Sequence, residues 1–179
     1  MEVFSCPAGC CTIYITPYNA VTSRFEKVRR QKRKAGALVY DHETDKMLIV
    51  QSRGQLWGCP KGTLESKESD RDCAIREIKE ETGLDVDINE SSPLIRIRDR
   101  ATYYYIEKAE CKVSVQSHIP NNDANGVAWV KLDCLSDCIE NGNISVTQHC
   151  RIALQYFLNK RLPHSTFITV GNTTRSSRF

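Results

Sequence analysis

The apolar positions of this chain change rhythm along its length, and each change marks an element. AGALVYD (35–41) and KMLIVQS (46–52) are β-rich runs parted by His42-Glu43-Thr44-Asp45, a hairpin-like break. RGQLWGCPKG (53–62) is a glycine-bearing loop with one proline. After it the period lengthens: Ala74, Ile75 and Ile78 recur at helical spacing and define one buried face. Alternation returns at 93–98, with Ile95 and Ile97 on one side and Arg96, Arg98 and Arg100 on the other. TYYYIEKAECKVSV (102–115) reads as one or two strands and GVAWVKL (126–132) as another. LDCLSDCIE (132–140) predicts a short helix and TQHCRIALQYFLNKR (147–161) a longer one, ended by Pro163. Upstream, CTIYI (11–15) predicts a strand that Pro17 ends. This order of elements suits an α/β fold, a mixed central sheet flanked by helices. It predicts one core domain over 35–162, preceded by an appendage at 1–34 and followed by a tail at 163–179.

The helix expected from residue 70 carries its own punctuation. Ser69 suits the N-cap, with Asp72 at the third helical position completing an acidic capping box. Asp70 and Asp72 suit the positive end of the helix dipole, and Gly83 stands just past the last turn. Glu77, Glu80 and Glu81 fall at i, i+3 and i+4 and are expected on the face opposite the apolar one. Three carboxylates so spaced repel one another, and Lys79 points elsewhere on the helix. A hard divalent cation relieves that repulsion. The alternative is a solvated acidic face.

The surrounding pattern sharpens this. Residues 62–84 read GTLESKESDRDCAIREIKEETGL. They meet every fixed position of the signature GX5EX7REUXEEXGU, with Ile78 and Leu84 at its aliphatic positions. The segment resembles the Nudix box, the loop-helix-loop of Nudix hydrolases. The resemblance implies an α/β/α sandwich and hydrolysis of a phosphoanhydride with bound Mg2+ or Mn2+. It implies that Glu80 and Glu81 are the main metal ligands and that Glu77 is a ligand or the group that orients or deprotonates water. Arg76 would fix a box carboxylate, and the Lys61 carbonyl would complete the metal shell. Gly62, Glu68 and Gly83 would be structural, Gly62 leaving room for backbone approach. A further acid is expected outside the box. Asp123, in the turn IPNNDANG, is the candidate, with Glu107 and Glu110 as rivals. An Asp in such a turn is otherwise ordinary turn chemistry.

Flanking residues bear on the substrate. Trp57-Gly58, Pro60-Lys61-Gly62, Asp72-Cys73-Ala74 and Asp85 make the run similar to the catalytic subunit of the mRNA-decapping branch, in a compact form. Asp123 stands six residues before Trp129, at the offset where that branch carries an acid, there usually Glu. Cys59 and Leu84 depart from it, each where the branch favours Phe. The resemblance implies cleavage of the mRNA 5′ cap to 7-methylguanosine diphosphate and 5′-monophosphate RNA. A small-nucleotide hydrolase, for instance of a dinucleoside polyphosphate, is the alternative. An inactive Nudix-fold module that binds RNA or protein is the third reading. For capped RNA, Trp57, Tyr103, Tyr104 and Tyr105 could stack on a base, or else serve as core and strand residues. Arg96, Arg98, Arg29, Arg30 and Lys61 could meet phosphates, or else be a solvated face.

Charge adds little by itself: 25 Lys and Arg against 22 Asp and Glu give +3. Its placement says more, since KVRRQKRK (27–34) concentrates six cations. That run reads as a phosphate contact, a nuclear address or a solvated arm. Nine cysteines are present without a CxxC pair, a secretory leader or a span of apolar residues long enough for a membrane. A reduced, cytoplasmic protein is expected, nuclear if the basic run is an address, with buried or incidental cysteines favoured over a zinc site. The sequence names no protein partner.

Overall fold

The computed structural model describes residues 2–17, 32–54, 56–120, 122–160 and 167–170. Its strands are β1 (Glu2–Ser5), β2 (Thr12–Ile15), β3 (Lys34–Asp41), β4 (Lys46–Ser52), β5 (Leu56–Gly58), β6 (Lys61–Thr63), β7 (Leu94–Ile97), β8 (Ala101–Glu107), β9 (Ala124–Lys131), β10 (Ser145–Val146) and β11 (Phe167–Val170). Its helices are α1 (Asp70–Thr82), α2 (Leu132–Glu140) and α3 (Gln148–Lys160). One mixed sheet runs β1-β2-β9-β4-β3-β8-β7-β11, with β6 beside β3, and β5 beside β4 and β10. β3 and β8 are parallel, whereas β3–β4, β4–β9 and β7–β8 are antiparallel.

Alternation along β3 and β4 splits the core in two. Ala35, Ala37, Val39, Leu48 and Val50 face α1 through Cys73, Ala74 and Ile78. Leu38, Met47 and Ile49 face the other way, onto Leu135 of α2 and Cys150, Ala153, Leu154 and Phe157 of α3. The result is a sheet with α1 on one side and α2 and α3 on the other, the expected α/β/α sandwich. Between β3 and β4, Asp41 closes the turn by accepting from the Glu43 N–H at 2.9 Å and the Thr44 hydroxyl at 2.8 Å.

Three features of the sheet add to the sequence pattern. The 102–115 run yields one strand ending at Glu107; the rest is irregular and fixed by Val113 in the core and by the Ser114 N–H bonded to the Thr82 carbonyl. The 1–34 segment holds a hairpin, and β2 pairs antiparallel with β9, so the sheet continues into it. The 163–179 segment contains β11, parallel to β7. These are long-range pairings, to which local periodicity is blind. Among the described residues no helix is long and apolar enough to cross a membrane.

Candidate active site

The site begins with the placing of α1. Ser69 caps it: its Oγ accepts the Asp72 N–H at 3.1 Å and donates to Asp72 Oδ2 at 2.6 Å. Gly83 ends it at φ 76, the left-handed conformation a side chain disfavours, and donates to the Lys79 carbonyl. Lys79 turns away to Asp85, at 2.6 Å.

The acidic stripe lies differently from the sequence expectation. It does not stand opposite the apolar face but borders it, because β6 crosses that flank of the helix. Glu81 is only 2% exposed, and its Oε2 accepts the Lys61 N–H at 2.9 Å. Glu77 packs directly on Gly62, where an added Cβ would stand 1.8 Å from its carboxyl carbon. A side chain at residue 62 would therefore displace the Glu77 carboxylate from this position. Glu80 is the most open of the three, its side chain 34% exposed.

Burial pushes the Glu81 carboxyl up to about 8, with Glu77 and Asp123 adding repulsion and Lys61 opposing it. Burial likewise raises Glu77, against Arg76 and with help from Glu80 and Asp123. Arg76 is the counterweight. It donates to Glu68 at 2.7 and 2.9 Å, to Glu77 Oε1 at 2.8 Å, to Glu80 Oε2 at 3.2 Å and to the Thr63 carbonyl at 3.2 Å. These bonds hold Glu68 well below the usual carboxylate range, at about 2. Glu68 also accepts the Glu65 N–H, at 2.9 Å, so it braces the loop that leads into α1.

The donor set suits a hard divalent cation. The buried Glu81 and half-buried Glu77 carboxyls are held partly against ionisation, and a 2+ charge would favour both as carboxylates. Among the described residues, however, the carboxylates do not converge to within 4.8 Å of one another as a three-ligand group. Arg76 occupies one oxygen of Glu77 and one of Glu80, at 2.8 and 3.2 Å.

Asp123 lies near this centre, close enough to repel Glu77 and Glu81. It pairs with Arg53 Nε at 3.1 Å, and its carbonyl accepts the Arg53 N–H at 2.9 Å. The loop is held by Asn122, which donates to the Glu80 carbonyl at 2.7 Å and the Gln116 carbonyl at 3.1 Å. Its rivals are elsewhere: Glu107 pairs with His42, and Glu110 with Lys46 at 2.7 Å.

Sequence reasoning missed Lys34 beside the acids, and His149 among the cations, where its imidazole is pushed toward the neutral form. The pKa of Lys34 is lowered by burial and then by Lys61, with Asp123, Glu77 and Glu81 pulling the other way. That of His149 is lowered by burial and then by Lys61, Lys34, Arg100 and Arg98. Lys34 had been visible only as the end of the basic run, and His149 only as a neighbour of Cys150. Asn122 had no signal beyond turn composition.

The expected stacking surface is corrected. Trp57 and Tyr103 are buried in the core on the α3 side, Tyr104 is buried on the other, and Tyr105 stacks on Phe157 with centroids 5.7 Å apart. The cause is the position of β8 between β3 and β7, with helices over both faces, so successive tyrosines fill successive core layers. Arg96, Arg98 and Arg100 are exposed, but the alternation stops at Ile97, because Arg98 adopts φ 50 in the turn to β8. Arg33 and Arg96 line a groove at the start of α1 and also a second one that continues to Arg98. Arg29 and Arg30 lie outside the described residues.

The fold, the acidic helix and its glycine-bearing entry define a hydrolase of the Nudix class. The NUDIX domain profile matches residues 30–150, and the chain belongs to that family. It is 34% identical over 140 residues to the 111R protein of Invertebrate iridescent virus 3, covering 76% of this chain and 82% of that one. It is 27% identical over 131 residues to mRNA-decapping enzyme subunit 2 of Arabidopsis thaliana, covering 68% of this chain but 34% of the plant protein. Among solved structures, the NUDIX domain of Shewanella oneidensis NrtR, complexed with ADP ribose, superposes with TM-score 0.56 at 17% identity, over 80% of this chain and 95% of that one. The MutT NUDIX hydrolase of Burkholderia pseudomallei gives 0.55 at 20%, over 71% and 98%. These two likenesses concern the fold.

Proposed function

We propose that this Nudix hydrolase cleaves the 5′ cap of mRNA, releasing 7-methylguanosine diphosphate and 5′-monophosphate RNA. The reaction class rests on one observation: two charge-frustrated carboxyls, buried Glu81 and half-buried Glu77, stand beside the ammonium groups of Lys34 and Lys61. A divalent metal and a polyphosphate together complete that arrangement. The cap as substrate rests on kinship with the decapping subunits and on the exposed arginines along the two grooves.

Glu77, Glu80, Glu81 and the Lys61 carbonyl would hold Mg2+ or Mn2+. The metal would polarise a phosphoryl oxygen and lower the pKa of a bound water. Glu77, held by Arg76 on one oxygen, would use the other as a ligand or, alternatively, to orient the attacking water and accept its proton. Asp123 is the second acceptor and needs to part from Arg53 to act. Lys34 and Lys61 neutralise the polyphosphate, and Arg96 and Arg98, joined by Arg33 once it parts from Asp70, track the RNA backbone. The burial of Trp57 and Tyr103 favours a second reading, a small-nucleotide hydrolase, because it withdraws the surface expected to stack on a cap base.

Incubation with Mn2+, capped RNA and diadenosine tetraphosphate in oxygen-18 water separates the two by product mass. Label-bearing 7-methylguanosine diphosphate or RNA monophosphate is expected. Fast turnover of the dinucleotide with capped RNA untouched rejects the cap reading. No turnover of either supports the inactive module.

A further inference from the structure

The sulfurs of Cys6, Cys10, Cys11 and Cys134 all lie within 4.8 Å of one another. Cys10 Sγ is at the centre, 3.5 Å from Cys6, 3.5 Å from Cys11 and 3.4 Å from Cys134. A disulfide requires about 2.05 Å between sulfurs and would use only two of the four. Tetrahedral zinc with Zn–S bonds of about 2.3 Å places its sulfurs about 3.8 Å apart. The observed spacing is close to the second geometry and far from the first.

The backbone is arranged around the cluster. Gly9 takes φ 69 and donates to the Cys6 carbonyl at 2.9 Å, while the Cys6 N–H donates to the Cys11 carbonyl at 3.2 Å. This tight turn between β1 and β2 brings three thiols to one point. The Lys131 N–H donates to Cys11 Sγ at 3.2 Å, a bond that favours a thiolate. The fourth sulfur comes from the first turn of α2. Its separation of 123 residues from Cys11 explains why spacing alone favoured incidental cysteines. Cys6-x3-Cys10 has a zinc-type interval but finds its complement in another element.

In this hairpin β2 is held by its pairing with β9 and by Ile13 and Ile15 against the core, whereas β1 has no such hold. All of β1 is exposed, including Val3 at 56% and Phe4 at 49%, so apolar burial contributes little to holding it. We propose that these four cysteines form a closed, structural zinc site that fastens the β1–β2 hairpin to the junction of β9 and α2. The site is at the far end of β9 from Asp123, roughly 26 Å along the strand for eight residues. With four thiolates it leaves no open position, so its contribution is to folding rather than hydrolysis.

The test uses the full chain purified without metal-chelating resin. Elemental analysis is expected to give about one zinc per chain, and X-ray absorption four sulfurs at about 2.3 Å. Cys134→Ser is expected to lose the zinc, whereas Cys138→Ser, one turn along α2, and Glu81→Gln keep it. Should Cys134→Ser fail to fold, alkylation of the native wild type still decides. Cys6, Cys10, Cys11 and Cys134 are expected to resist iodoacetamide until a zinc chelator is added, while exposed Cys111 reacts at once. Less than a fifth of a zinc per chain, iron in its place, a mapped Cys10–Cys134 disulfide, or zinc lost in Glu81→Gln but kept in Cys134→Ser would each overturn the assignment.

Discussion

A carboxyl buried beside another carboxyl gains by keeping its proton, and Glu81 is in that position. Its folded pKa of about 8 lies above the unfolded value near 4.5. The stability it contributes without metal is complete below the unfolded value and is lost as pH rises through about 8. Metal binding demands the carboxylate, so Mn2+ affinity should strengthen by up to tenfold per pH unit towards 8. Thermal melts at pH 5.5, 7 and 8.5, with and without Mn2+, check this. A metal-induced increment that ignores pH would refute it. Glu81→Gln keeps an acceptor for the Lys61 N–H and cannot ionise. It should be at least as stable as wild type at pH 8 without metal, yet at least a hundredfold slower in turnover. Gly62→Ala drives a methyl into the Glu77 carboxylate. A tenfold or larger loss of kcat is expected, read in steady-state assays beside circular dichroism that shows the fold intact.

At the scale of the element, α1 is a platform whose apolar side locks onto β3 and whose acidic flank is braced by Arg76. Arg76→Ala leaves Glu68, Glu77 and Glu80 without their shared partner and should cost about 2 kcal/mol or more in urea unfolding. If stability were unchanged, Arg76 would not be the brace described. This helix was almost wholly legible in the sequence, because caps, dipole charges and periodicity are local effects. Ser69 and Gly83 act within three or four residues of themselves. What lay beyond reading was the flank on which the acids stand. That depends on β6, three residues long, whose register with Lys34, Ala35 and Gly36 is a tertiary fact. The tyrosines of β8 failed for the same reason. Alternation shows that Tyr103 and Tyr104 take opposite sides, but not that a helix covers each side.

Across the whole molecule, an acidic centre is set among cations that sequence order scatters. Lys34 and Lys61 adjoin the acids, and Arg33, Arg96 and Arg98 line the grooves leading away. A net charge of +3 gives no hint of this arrangement, because Glu77, Glu80 and Glu81 stand together on α1 while Arg33 precedes β3 and Arg96 and Arg98 lie in and just after β7. The arrangement distinguishes a long substrate from a short one. Single-stranded RNA that meets three arginines releases counterions from about three phosphates, so log kcat/KM should fall against log salt with a slope of about −2. A dinucleoside tetraphosphate reaches Lys34 and Lys61 but not the grooves, and its slope should be shallower. Arg96→Glu with Arg98→Glu should flatten the capped-RNA slope by about 1.4 and leave the dinucleotide unaffected. Among the described residues the ion pair of Arg96 is a long one, to Asp70 at 4.0 Å, so the exchange disturbs little of the fold. Rates measured from 50 to 250 mM KCl decide the matter. Equal slopes for both substrates, before and after the exchange, would mean that RNA does not follow this path.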